Sequence, residues 1–239
     1  GGLQKQQIRY LTGESGTGKT TILLQSMLHA AEKGFGVAIF ELEMSEQSTL
    51  YRLIELDCGV PFRAMRTGRL TQDQYSRFKV SKAKWSRLPL YINDDPGVTT
   101  AQIRGVISRL RSRMDVDVIG LDYLSLLGDE PENKNDYDQT KAVRFRAMCR
   151  SMDLAGFTIQ DMRKFEGLPT LQDMSGGAGV RFGADEVYTV MQDQDANNIF
   201  YLLPSKERYG DITKNRITLI RNGLPFENAT AREVDLSAI

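Results

Sequence analysis

The sequence predicts an α/β domain built on a mostly parallel, twisted sheet flanked by helices, with an antiparallel edge. Three observations lead there. Short, nearly all-apolar runs such as GVAIFELEM (36–44) and VDVIGLDYLSLL (116–127) read as strands covered on both faces. Segments with helical spacing alternate with them along the chain. Near the start, GESGTGKT (13–20) follows one apolar run and opens a helical one, fitting the pattern Gly, four residues, Gly-Lys-Thr.

The elements follow in order. IRYLT leads into that loop, and TTILLQSMLHAAEKG after it reads as a helix ending on Gly34. GVAIFELEM is a buried strand. SEQSTLYRLIEL is a helix with Ser45 as its cap. RTGRLTQDQYSRFKVSKAKWSRL is polar with scattered apolar residues and reads as two short helices, and PLYIND as a strand. TTAQIRGVISRLRSRM puts Ile103, Val106, Ile107 and Leu110 on one helical face. VDVIGLDYLSLL is a second buried strand, GDEPENKNDYDQ a charged loop, TKAVRFRAMCRSMDLA a helix and GFTIQ a short strand. A long Gly-containing loop spans 161–183, and loops of that length in compact domains are often functional. DEVYTVMQ, NIFYLLPS and RITLIRNG are the last strands, the final two forming an antiparallel edge hairpin.

A length of 239 residues, 41% hydrophobic, supports one large domain spanning 1–239. Lys plus Arg and Asp plus Glu both total 31, so the net charge is zero and any nucleic-acid contact must be local or gathered from several subunits. Cys58 and Cys149 sit in apolar helical segments and read as reduced, buried thiols. His29 lacks partners for a metal site. The absence of a signal peptide or long apolar run points away from a membrane.

The glycine-rich loop carries the chemistry. Its glycines turn backbone N–H groups inward on a β-phosphate, at the positive end of the following helix. Gly13, Glu14, Ser15, Gly16, Thr17, Gly18, Lys19, Thr20 and Thr21 are the expected ATP-binding residues. Lys19 is placed to reach the β/γ-phosphates and Thr20 to put its hydroxyl on Mg²⁺. Asp122, at the tip of an apolar strand, is placed to hold the same ion. Glu43 and Glu41 both lie where a carboxylate could orient the water attacking the γ-phosphate; their strand is expected beside that of the loop. Gln160, at another strand tip, could report hydrolysis to the long loop behind it.

These groups, in this order, resemble the RecA-like motor domain of the DnaB-type replicative helicases. GLQ before the loop, IFELEM, RTGRLT, LPLYINDDPGVTTAQIRGVISRL and IGLDYLSLL look like that family's blocks at similar spacing, over essentially the whole chain. The resemblance selects Glu43 as the catalytic glutamate and leaves Glu41 where the family often has Ser. It implies a nucleotide-side role for Arg52. IQDMR keeps Gln160 and Arg163 of a family block. SGGA (175–178) stands where relatives carry DNA-contacting side chains, so Arg163, Lys164 and the backbone at Gly176 and Gly177 are the expected DNA contacts.

The family's trans-acting Lys-x-Arg-x-Gly has two possible counterparts. SKERYG offers Lys206, Arg208 and Gly210, whereas LIRNG offers Arg221 with Leu219 in the Lys position; the first is preferred, with Arg208 a strand-end arginine beyond the sheet edge. The resemblance implies an ATP- and Mg²⁺-dependent hexameric ring on single-stranded or forked DNA, with a primase and a loader as partners. It further implies a bacterial or phage-infected cytoplasm and a divergent, phage-like member without the family's N-terminal domain and linker. A filament-forming recombinase and a non-motor nucleotide switch share the phosphate loop; ELEM, DDPGVTT and the Lys206/Arg208 pair disfavour the former, and the full catalytic set the latter.

Overall fold

The computed structural model describes residues 2–130, 137–163, 169–175, 181, 183–193, 195–208, 215–221 and 223–233. One sheet of nine strands organises them, in the order β3-β2-β4-β5-β1-β6-β7-β8-β9. The first six in that order are parallel: β1 (Ile8–Gly13), β2 (Val37–Glu41), β3 (Leu90–Asn93), β4 (Val118–Asp122), β5 (Ala155–Asp161) and β6 (Glu186–Gln192). From β6 the chain turns antiparallel through β7 (Ile199–Glu207), β8 (Asn215–Arg221) and β9 (Phe226–Glu233).

Two expectations change here. The strand leading to Glu43 does not adjoin that of the phosphate loop, because β4 and β5 lie between β2 and β1. And the last two predicted strands do pair antiparallel, as β7 and β8, but they are not the outermost, because β9 pairs outside β8. FENATARE lacks the apolar run used to find strands; main-chain pairing with β8 makes it one.

The two faces of the sheet carry different helices. On one lie α1 (Lys19–Glu32), α2 (Glu46–Cys58) and α4 (Gln72–Trp85), with the short α3 (Phe62–Thr67) beside α2; on the other lie α5 (Thr100–Leu110) and α6 (Tyr137–Ser151). Leu23, Leu24, Met27, Leu28 and Ala31 of α1 recur at helical spacing and are buried against β2, β4 and β5. Ile103 and Ile107 of α5 are fully buried, with Val106 and Leu110 packed alongside, as their spacing predicts. Ser45 caps α2 by accepting from the Ser48 N–H. Capping boxes start α4, from Thr71 and Gln74, and α5, from Thr99 and Gln102.

Cys58 and Cys149 are both free thiols, the second fully buried, and burial pushes its thiol pKa up. Among the described residues no cluster of His, Cys, Asp or Glu has metal-site geometry, and no helix is long and apolar enough to cross a membrane.

Candidate nucleotide site

The parallel strands share one direction, so the segments after β1, β2, β4 and β5 leave the sheet at one end, where open α/β sheets bind ligands. The phosphate loop fills the step from β1 to α1. Gly13 has φ of 149°, and a Cβ there would meet the Val190 carbonyl oxygen at 2.5 Å. Gly18 caps α1 at φ of 88°, and its Cβ would meet the Phe226 ring at 2.8 Å. Both positions exclude a side chain on conformation and on space. Between them Glu14, Ser15 and Gly16 are exposed, while Thr17 folds back to donate its hydroxyl to the Glu14 carbonyl at 2.9 Å.

Lys19 is buried at the first turn of α1. Its ammonium donates to the carbonyls of Gly13 at 2.8 Å and Glu14 at 3.0 Å and lies 3.2 Å from an Asp161 carboxylate oxygen. The Thr20 hydroxyl donates to Asp122 at 2.6 Å, which joins the two residues expected to hold Mg²⁺. Thr21 is buried behind them.

The strand β2 ends at Glu41, one residue short of the turn that carries Glu43, so the two glutamates are not successive same-face positions of one strand. Glu41 is fully buried, in register with Asp122 of β4. One of its oxygens accepts from the N–H groups of Glu43 at 3.3 Å and Met44 at 3.2 Å, closing the turn. Its other oxygen is buried with no partner among the described residues. Burial, then the nearby Asp122 and Glu43 charges, push the Glu41 carboxyl up to about 8. Burial likewise lifts Asp122 to about 6, reinforced by Glu43 and Asp161 and opposed by the Thr20 hydroxyl and Lys19. The two buried carboxyls, Glu41 and Asp122, thus lie together, with the exposed Glu43 and Asp161 near Asp122 and Lys19 close to Asp161.

Gln160, fully buried at the tip of β5, donates to the Ser125 hydroxyl and the Ser175 carbonyl, each at 3.2 Å. Ser175 N–H in turn donates to the Asp161 carbonyl, and Met162 pairs with Met174, so the base of the long loop is fastened to the site. Arg163 is exposed at that base, its N–H donating to the Asp173 carbonyl. Lys164, Gly176 and Gly177 lie outside the described residues. Arg52 is half-buried on α2, and no described contact joins it to the phosphate loop.

Lys206 and Arg208 sit at the opposite end of the sheet. There Glu207 pairs with Glu186 and the Ile8 N–H donates to Asp185. Lys206 donates to the carbonyls of Arg181 at 2.5 Å and Ala184 at 2.7 Å; burial, then Arg208, lower its pKa. Arg208 Nε lies 3.3 Å from the fully buried Asp185 carboxylate, which Arg146 also meets at 2.6 Å. The expectation that Arg208 projects past a sheet edge is therefore corrected: β8 and β9 lie outside β7, and the guanidinium is folded onto its own chain. Gly210 lies outside the described residues. Arg221, by contrast, ends β8 beside the phosphate loop. It stands over the Phe200 and Phe226 rings, with Nη1 3.5 Å from where a Gly18 Cβ would be.

Sequence reasoning missed Asp161, Ser125 and Phe226. Asp161 could have been found, since it directly follows Gln160 at the tip of a predicted strand. Ser125 and Phe226 carry no local signal.

The chain resembles the replicative DNA helicase DnaB of Geobacillus stearothermophilus, with 24% identity over 97% of the chain and 54% of that protein. It resembles the one from Treponema pallidum with 27% identity over 89% of the chain and 49% of that protein. It therefore spans about half the length of these relatives. Among solved structures, a DnaB-like replicative helicase described with its primase interactions superposes with a TM-score of 0.87 at 16% identity, covering 96% of this chain and 59% of that one. A solved ATPase domain superposes at 0.84 with 18% identity, covering 95% of this chain and 86% of that one. Both confirm the mostly parallel α/β fold of the RecA-like class. A model of the DnaB-like helicase C terminal domain matches residues 1–228, and the chain belongs to that family.

Proposed function

We propose that this chain is the motor of an ATP-driven DNA helicase, a hexameric ring that moves on single-stranded DNA and opens duplex at the replication fork. The observation that carries this reading is the joining of Lys19, Thr20, Asp122 and Glu43 at one end of the sheet, in a chain of the helicase family. The residues present fit Mg²⁺-ATP: a hydroxyl and a carboxylate 2.6 Å apart, with an orphaned buried carboxylate oxygen behind them. When bound by Thr20 and Asp122, Mg²⁺ supplies charge neutralisation at the β- and γ-phosphates.

The chain's own groups do the remainder. Backbone N–H groups of residues 14–20 cradle phosphate oxygens, and Lys19 sets a positive charge beside them. Glu43 orients a water and accepts its proton, while Glu41 holds the turn that presents Glu43. Gln160 ties the site to Ser175 and the loop from 161, where Arg163, Lys164, Gly176 and Gly177 are assigned to DNA. Arg52 is assigned to the nucleotide side. An arginine of the neighbouring copy completes the site; Lys206 and Arg208 are assigned to it, and interface formation must then exchange their contacts with Ala184 and Asp185. A primase is a fitting partner, as the solved DnaB-like helicase is described with its primase interactions, and a loader belongs to the same reading.

Strand displacement tests the proposal. The chain, with ATP and Mg²⁺, is expected to release the labelled strand of a forked duplex, and Lys19→Ala is expected to release none. ATP hydrolysis without strand release in an assembled oligomer would overturn the helicase reading.

A further inference from the structure

The chain is neutral overall, but its charge is not evenly spread. From Phe62 to Arg87 it carries eight Lys and Arg against one acid, Asp73, a net of +7 that leaves −7 for all other residues. This segment is α3, the turn after it, and α4 with its exit. The reason it faces outward is visible in the packing. Phe78, Ser81 and Trp85 of α4 turn inward, against Asp57 and the small cluster around Ile54, Val60 and Met65. Lys84 closes the clamp by pairing with Asp57 and Glu32, so α4 is pinned to α2 and α1. A narrow inward stripe leaves most of the helix surface to solvent.

Two of the eight cations are used internally. Lys84 is in that clamp, and Arg77 pairs with Asp73 and donates to the Cys58 carbonyl. The other six, Arg63, Arg66, Arg69, Lys79, Lys82 and Arg87, are exposed, and none forms an ion pair with an acid among the described residues. Aromatic groups are interleaved with them. Tyr75 is 49% exposed with Lys79 Nζ 5.7 Å from its ring centroid, and Arg66 stands 5.9 Å over Phe62. A face kept only for solubility mixes both signs of charge; this one has almost no acid. It also belongs to different elements from the loop at 161–183, the DNA contact assigned above.

We propose that α3 and α4 form a docking surface for single-stranded nucleic acid, held through its phosphates by these six cations and through base stacking on Tyr75. Exposed cations contribute by releasing counterions from the strand, and an exposed aromatic ring offers a stacking face of no sequence preference. The choice of a nucleic acid over another polyanion rests on the helicase reading.

The test uses the full chain and a labelled thymidine 20-mer, with affinity measured across a salt series. In the Arg69→Gln, Lys79→Gln, Lys82→Gln triple variant, the slope of log affinity against log salt is expected to flatten by about 2, from about 0.7 per lost phosphate contact. Affinity at low salt is expected to fall at least about tenfold, while hydrolysis without DNA stays at the wild-type rate. Tyr75→Ala is expected to weaken binding about fivefold or more with little change in slope. Arg163→Glu, run in parallel, separates the two surfaces. If Arg163→Glu weakens binding and the triple variant matches wild type in affinity and slope, this proposal falls and the helicase reading stands. If wild type binds no DNA, both fall. If the triple variant keeps its DNA binding but loses retention on polyglutamate, the surface serves an acidic polypeptide and the proposal is overturned.

Discussion

The two ends of the sheet hold opposite kinds of buried charge. At the phosphate-loop end the buried Glu41 and Asp122 lie together, with the exposed Glu43 and Asp161 beside them, and both buried carboxyls are pushed toward their neutral forms. At the other end the fully buried Asp185 meets Arg146 and Arg208 and accepts the Ile8 N–H at 3.0 Å. The first cluster is unbalanced within the chain, as the proposed divalent-cation site requires. The second is satisfied within the chain, as a fold anchor should be. Buried charge therefore marks function only where the chain itself leaves it uncompensated.

The largest expected effects test the first cluster. Lys19→Ala is expected to cut ATP hydrolysis about a thousandfold by steady-state assay, since a fixed charge at the transferring phosphoryl group is lost. Arg208→Ala is expected to bind ATP and hydrolyse it about a thousandfold more slowly, and to recover activity when mixed with Lys19→Ala. That recovery requires one good site built from two defective chains. Recovery by Arg221→Ala in its place would return Arg208 to the fold cluster and give the trans role to the arginine at the phosphate-loop end.

A smaller loss, on the order of a hundredfold in hydrolysis with ATP affinity kept, is expected for Glu43→Gln. Glu41→Gln is the control. If it alone abolishes hydrolysis, the attacking water belongs to the buried carboxylate and not to the turn.

The opposite end should break differently. Asp185→Ala removes the buried carboxylate that Arg146 and Arg208 share and is expected to cost about 3–5 kcal/mol of stability by denaturant titration. Hydrolysis per folded molecule should hold at low temperature; a selective loss of turnover would join the two ends functionally.

The smallest effect concerns Asp57, outside both clusters. Its own burial works against the charged form, but bonds from Lys84, Ser81 and Trp85 outweigh this and hold its carboxyl below the ordinary 3.8. A depressed folded value contributes stability above that ordinary value, lost as pH falls through the folded one. Asp57→Asn is therefore expected to lower stability on the order of 1 kcal/mol near pH 7, after solvent screening, with the difference in Tm shrinking only once the pH falls below the ordinary 3.8.

Legibility followed locality. The phosphate loop, Asp122 and Gln160 are each contiguous with a strand or helix that the sequence announces, and the structure finds them at the strand ends expected. The place of Arg208 in the sheet was not legible, because a short motif match carries no information about which strand lies at the edge. β9 was invisible because pairing, and not an apolar run, makes it a strand. Asp161 was overlooked because only the register of β5 with β1 brings it to Lys19.

By itself the sequence determined the alternation of strands and helices, the phosphate loop and the density of positive charge in α3 and α4. Those depend on side-chain periodicity and on steric limits within a few residues. Only the tertiary structure decided that β4 and β5 separate β2 from β1. It alone decided that Glu41 is buried against Asp122 while Glu43 stands on the turn beyond, and that Lys206 and Arg208 face away from the loop of their own chain. Strand order and the pairing of buried charges come from contacts between residues far apart in the chain. Their energies depend on which groups lose water together, and no local pattern encodes that.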